Sequence, residues 1–133
     1  MPITTLSLLV KGADHRNKRG PARRFEIAIC RPGEPVLLEL EPKNEADPNA
    51  VMILSARGIQ IGYVAAERAP WIGGMIRQGR DIHAIFQEST RAGAVIRITL
   101  DGSEPSLPES AGKAPSGEDA DIGFWPDYVP PDD

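Results

Sequence analysis

Short runs in which apolar and polar residues alternate, each ended by Gly, Pro, Asn or Asp, dominate the first hundred residues. Period-two alternation is the signature of a half-buried strand. It predicts strands over residues 3–10 ("ITTLSLLV"), over "FEIAIC" at 25–30, and over "VLLELE" at 36–41. "AVMIL" and "IQIGYV" flank the Gly-bearing "SARG", the pattern of a β-hairpin. Gly62 interrupts the second arm and predicts a bulge or a close backbone approach. "IHAIF" and "AVIRITL" are two further strands around "QESTRAG". Only residues 65–78 change period. There Trp71, Ile72, Met75 and Ile76 fall on one helical face, with Pro70 suited to a first turn and Gly73 and Gly74 weakening the helix. Trp71 is expected in the core, sealing one end. The pattern predicts a mostly β protein: a small OB-like or SH3-like barrel of six or seven strands with one short helix.

Composition and charge divide the chain. Residues 103–133 carry eight acidic side chains against Lys113 alone, and six of the thirteen prolines lie beyond Gly102. Such a segment buries too little apolar area to offset its ordering entropy, so a disordered acidic tail is expected after a barrel domain of residues 1–102. With the net charge of −4, the body then carries +3. Within it, "KGADHRNKRGPARR" holds seven basic or potentially basic residues without apolar periodicity and reads as a loop. The tail has one apolar island, "IGFWPDYV", whose Phe124, Trp125 and Tyr128 suit a protein partner or a return onto the body.

Most catalytic chemistry has no footing in these residues. Cys30 is the single cysteine, so no internal disulfide or cysteine cage forms, and it reads as a small buried hydrophobe in a reducing, cytoplasmic setting. No phosphate loop of the form GxxxxGK[ST], no GxGxxG and no HExxH occurs. His15 and His83 are far apart, and His83 alternates to the solvent side of its strand. Glu39 and Glu41 share a strand face that reads as solvated. Neither a cofactor nor a metal is expected, nor an enzyme. The N-terminus lacks the pattern of a signal peptide, and no apolar run reaches membrane-spanning length.

One stretch is more specific. "VLLELEPKNEADPNAVMILSARGIQIGYV" resembles the HIRAN domain family, whose core passes from a strand through a P-x-N-x-x-D-x-N-A corner into a hairpin ending in Gly-Tyr/His-Leu/Val. The matching residues are Pro42, Asn44, Asp47, Asn49, Ala50, Val51, Gly58, Gly62, Tyr63 and Val64, and "VKG" at 10–12 resembles the family's opening. The resemblance implies an OB-like barrel that binds DNA, found alone or fused to helicases and nucleases, whose activities belong to the fused domains. It also implies capture of a 3′-hydroxyl strand end by the corner Asn and Asp with aromatic and basic residues of the first loop. Two family aromatics are replaced here: Ala46 precedes the corner Asp, and the first loop opens with Asp14 and His15. Stacking on an aromatic is worth about 1–3 kcal/mol per base, so the expectation is general single-strand binding more than end capture.

The nucleic-acid-binding residues expected on these grounds are His15, Arg16, Arg23, Arg24, Lys43, Asn44, Asp47 and Tyr63. Lys18 and Arg19 belong to the same basic loop, and Lys43 and Arg57 extend its edge. Asn49 and Ala50 are expected to be structural, and turn formation explains Asp47 as well as ligand contact does. Single-stranded DNA or DNA ends, in repair or replication, are the expected partners. The alternatives are a protein-interaction module using the corner and the aromatic tail, and a non-catalytic subunit of a DNA-processing enzyme.

Overall fold

The alternation read from the sequence closes on itself. In the computed structural model, residues 4–108 are described. They form β1 (Thr5–Lys11), α1 (Arg23–Ile29), β2 (Pro35–Leu40), β3 (Val51–Leu54), β4 (Gln60–Val64), α2 (Ala69–Arg77), β5 (His83–Thr90) and β6 (Gly93–Thr99). The strands make a closed antiparallel barrel in the order β1-β4-β3-β2-β5-β6. Inward positions supply the core: Leu6, Leu8 and Val10 of β1, Ile53, Ile61, Phe86, and Ile96 and Ile98 of β6, all nearly or fully buried. Each such side chain contributes about 1.5–3 kcal/mol by leaving water. The β1–β4 and β2–β5 seams are the thinnest, each resting on two facing pairs; across the first, Val10 faces Val64 and Lys11 faces Tyr63.

Two helices plug the barrel from opposite ends. α1 sits by the β3–β4 hairpin and sends Ile27 into the core; α2 packs Ile72 and Met75 beneath the other ends of the same strands, with Gly73 close to Leu40 and Val51. α2 matches the expected helix, trimmed to nine residues with Pro70 in its first turn. α1 corrects the expected strand at "FEIAIC". The alternation there was misleading, since Phe25 and Ile29 are exposed at 59% and 43%. The buried face is instead Arg23, Glu26 and Ile27, at helical spacing, and two of these three are charged. Apolar periodicity cannot register a face built that way.

Glu26 tolerates burial because its Oε2 accepts hydrogen bonds from Ser55 Oγ (2.7 Å) and Arg57 Nε (2.6 Å). Arg57 also reaches Glu34 at 3.2 Å, so it braces α1 against the hairpin and does not extend the basic loop's edge. Hydrogen bonding from Arg57, then from the Arg31 N–H, holds the Glu34 carboxyl below its ordinary value of 4.5. A carboxyl depressed in the folded state contributes stability above its unfolded value and loses it as pH falls through the folded one. Glu34→Gln is therefore expected to flatten the acid side of the stability profile below about pH 4.5, read from urea midpoints at pH 7 and pH 3.5.

Other expectations need adjusting. Trp71 is 40% exposed and does not seal the core. Asn49 is exposed, and its own N–H donates to Asp47 Oδ1. Cys30 is half-buried against the core, and burial pushes its thiol pKa up, consistent with a packing role. "QEST" belongs to β5, whose register shifts between Phe86 and Glu88 before a tight turn into β6. Residues 103–108 have no regular structure, and the tail from 109 onward, with Phe124, Trp125 and Tyr128, lies outside the described residues.

Candidate nucleic-acid interface

β3 and β4 turn a row of side chains outward. Met52 faces Tyr63 across the pair and Leu54 faces Gln60. Along an amphipathic strand these would be polar and solvated; here they floor an open cleft of about 890 Å³. The β1–α1 loop (Arg16, Asn17, Lys18, Arg19) and the β2–β3 corner (Glu41, Lys43, Asn44, Glu45, Ala46) flank that floor. Five cations line the cleft (Arg16, Lys18, Arg19, Arg23 and Lys43) against the carboxylates of Glu41 and Glu45. A second cleft of about 490 Å³, lined by Lys11, Gly12 and His15, adjoins it, and both share Arg16, Arg23 and Tyr63.

Arg23 sets this partition. It is buried, donates from Nη1 to Gly12 O (2.9 Å) and from Nε to Asn17 Oδ1 (2.8 Å), and lies over the Tyr63 ring at 5.6 Å. Asn17 in turn donates to Gln60 O and Pro21 O, each at 3.0 Å. The basic loop is thus tied to β4 through one asparagine and one arginine. A cation held over an aromatic face adds about 0.5–2 kcal/mol.

The corner is built by two side chains acting on the backbone. Asn44 Oδ1 accepts from the N–H groups of Ala46 (2.9 Å) and Asp47 (3.0 Å), and Asp47 Oδ1 accepts from the Asn49 N–H (2.9 Å). These are the local bonds for which Asn and Asp are favoured in turns. With its oxygen so engaged, the Asn44 amide donates from Nδ2 to Glu41 Oε1 (2.8 Å) and Tyr63 Oη (3.4 Å). Tyr63 donates its hydroxyl to the same Glu41 Oε1 at 2.6 Å. Burial, followed by this bond, pushes the Tyr63 phenol pKa up, so it remains a donor.

Of the residues expected from the sequence, Arg16, Arg23, Lys43, Asn44 and Tyr63 line the larger cleft, and His15 lines the smaller one. Arg24 and Asp47 line neither. Arg24 turns to Asp14 (2.7 Å) and to Arg91 O (3.2 Å), while Asp47 closes its own turn. The sequence reading did not place Asn17, Glu41, Gln60, Met52 or Leu54 in the site. Met52 and Leu54 carry a readable signal: they are the outward members of a strand whose inward members, Val51 and Ile53, are already apolar. Glu41 carries none, because nothing local reveals that Tyr63 lies across from it. Among the described residues no His, Cys, Asp or Glu cluster of metal-ligating geometry occurs.

Residues 23–102 match the family model of the HIRAN domain. The chain belongs to the HIRAN domain family. HIRAN domains are DNA-binding modules, so membership supports nucleic-acid binding in general terms. The family segment begins at Arg23, after the basic loop that walls the larger cleft. The crystal structure of the HIRAN domain of human HLTF is similar, with a TM-score of 0.59 at 20% identity, covering 96% of this chain and 93% of that one. A protein from Lactobacillus plantarum is similar at a TM-score of 0.55 and 19% identity, covering 73% of this chain and 93% of that one. At these identities the likeness is one of fold, the OB-like barrel of HIRAN domains. No curated protein matches the chain. Among the described residues no helix is long and apolar enough to cross a membrane.

Proposed function

We propose that this HIRAN domain binds single-stranded DNA along the larger cleft, as a binding module without a catalytic role in DNA repair or replication. The observation that carries the reading is the Arg23–Tyr63 stack, where an aromatic face and a buried guanidinium stand between two clefts edged by cations. Single-strand sites combine a basic track for phosphates with rings on which bases stack. Met52 and Leu54 add apolar floor for unstacked bases, and Lys18, Arg19 and Lys43 are exposed where a phosphate backbone would pass. The residues proposed to contact nucleic acid are His15, Arg16, Lys18, Arg19, Lys43 and Tyr63, with Arg23 and Asn44 positioning them. Arg24 and Asp47 are assigned structural roles. The barrel of residues 1–102 is the binding unit, the acidic tail lies outside it, and the single cysteine accords with a cytoplasmic setting.

Salt dependence tests the reading. Each phosphate neutralised on a single strand gives a slope of about −0.7 in log K against log salt. Replacing Lys18 and Arg19 with alanine is expected to weaken oligonucleotide binding and flatten the slope by about 1.4, measured by fluorescence anisotropy over a salt series. Arg24→Ala, whose guanidinium is occupied by Asp14, is expected to leave the slope unchanged. Equal effects of the two variants would place the binding track elsewhere, and absence of binding at low salt would overturn the proposal.

A further inference from the structure

The floor of the larger cleft continues past its cations. Outward positions extend it onto β2, where Leu37 faces Leu54 and Glu39 faces Met52. Leu37 is 54% exposed, while its neighbours Leu38 and Leu40 pack against the core. Tyr63, Met52, Leu54 and Leu37 thus form an apolar stripe across the outer face of three adjacent strands, with Glu39 at its rim. Where the stripe floors the cleft, the cations of the loop and corner outnumber the carboxylates of Glu41 and Glu45. Exposed apolar surface rimmed by charge marks a site for a protein segment. An aliphatic strip gives little to a phosphate backbone; it suits side chains that bring rings and negative charge together.

Residues 118–133 of this chain have that chemistry. They carry six carboxylates and no cation, with Phe124, Trp125 and Tyr128 among them. The chain leaves the barrel at the α2 end: Arg80, just past that helix, donates to Leu100 O (3.0 Å), and Thr99 donates to Ser103 O (2.6 Å). The same helix brings Gly73 close to Leu40 and Val51, the strand ends that bracket the corner. Fifteen residues separate Pro108, the last described, from Phe124. At about 3.3 Å per residue they span up to about 50 Å, against about 30 Å for the diameter of a small domain. Resting on the single-strand reading above, we infer that residues 118–129 occupy the cleft and the Leu54–Leu37 stripe, so that the protein's own tail competes with a DNA strand. The rings lie on the apolar floor and the acids face Lys18, Arg19 and Lys43. Negative charge and stackable rings are the two features a single-strand site reads. Tethering holds the segment at about millimolar local concentration, so an intrinsic Kd of about 0.1 mM lowers DNA affinity about tenfold.

The test uses the full chain. Phe124→Ala with Trp125→Ala and Tyr128→Ala removes the rings and keeps the charge; Glu118→Gln with Asp119→Asn and Asp121→Asn does the converse. Leu37→Ser changes the stripe at an exposed position outside the proposed DNA contacts. Without DNA, amide exchange of residues 16–19 and 43–46 is expected to be faster in the ring variant than in the wild type. With oligo-dT, fluorescence anisotropy is expected to show about tenfold tighter binding for the ring variant. Leu37→Ser is expected to bind more tightly as well, and adding it to the ring variant should give no further gain, because both act on one contact. Gains that multiply would mean independent sites and overturn the inference. So would a ring variant that exchanges and binds as the wild type does while the charge variant alone binds more tightly at low salt, the behaviour of an electrostatic shield. The single-strand reading fails separately. If exchange responds to the ring variant but no form of the protein binds the oligonucleotide at low salt, the tail contact stands and DNA is not its competitor.

Discussion

Replacing Gly62 with alanine is expected to destabilise the barrel by about 3 kcal/mol, at the upper end of overpacking costs. The reason is local and severe. A Cβ at position 62 would lie 2.4 Å from the Lys11 carbonyl oxygen and 2.6 Å from Val10 Cγ1. One of those atoms is backbone, so it cannot swing aside as a side-chain tip would. The backbone φ of +156 adds to the cost for any residue with a Cβ. The clash falls on the β1–β4 seam, which rests on two facing pairs and whose separation opens the barrel. For a domain of this size the cost corresponds to a fall in melting temperature of roughly 10–20 °C. Gly74→Ala is the contrast. A Cβ there meets nothing within 4 Å, and the position is helical, so a gain of about 0.5–1 kcal/mol is expected. Thermal melts of both variants check the pair; equal shifts would sink the seam argument. Because Lys11 and Tyr63 flank the same seam, Gly62→Ala is also expected to weaken oligonucleotide binding well below its melting point.

The seam was legible in the sequence to an unusual degree. Gly62 inside an otherwise strand-like run pointed to a close backbone approach, and the approach is to Lys11 O. The strands read correctly are those whose inward residues are all apolar, as in β3 and β6, where period two and burial coincide. The corner was legible because Asn44 and Asp47 carry out chemistry with their own neighbours, and local chemistry shows in local sequence. What the sequence concealed depends on distant partners. Trp71 falls on the apolar stripe of α2, yet the stripe's buried edge is satisfied by Ile72 and Met75, leaving the ring half in water over Arg68. Arg23 and Arg24 are adjacent and chemically identical. The helix turns one inward to Tyr63 and Gly12 and the other outward to Asp14. No reading of charge along the chain separates them, because the distinction arises only when α1 is known to be helical.

That helix hinges on Glu26, which motivates the second prediction. α1 has seven residues, no side-chain N-cap and two exposed apolar side chains, so its intrinsic stability is slight. Its attachment comes from Ile27 in the core and from the buried Glu26 carboxylate, 1% exposed, held by Ser55 and Arg57. Glu26→Ala is expected to cost about 3 kcal/mol, the lower end for breaking a buried pair, because the partner Arg57 keeps Glu34 and some solvent. The loss should be local as well as global, since Arg23 on the same face holds the basic loop and stacks on Tyr63. Amide exchange is therefore expected to accelerate in α1 and in residues 16–19 before it does in β5 and β6. A buried ion pair can often be replaced by apolar side chains of similar volume without loss. The double variant Glu26→Met with Arg57→Met is accordingly expected to recover most of the stability lost in Glu26→Ala. If the double variant is no more stable than Glu26→Ala, the pair supports α1 through specific hydrogen bonds to Ser55 and the hairpin and not through relief of a stranded charge. If Glu26→Ala itself is neutral in urea denaturation, α1 is held by Ile27 alone, and the route from the buried carboxylate to the cleft through Arg23 fails.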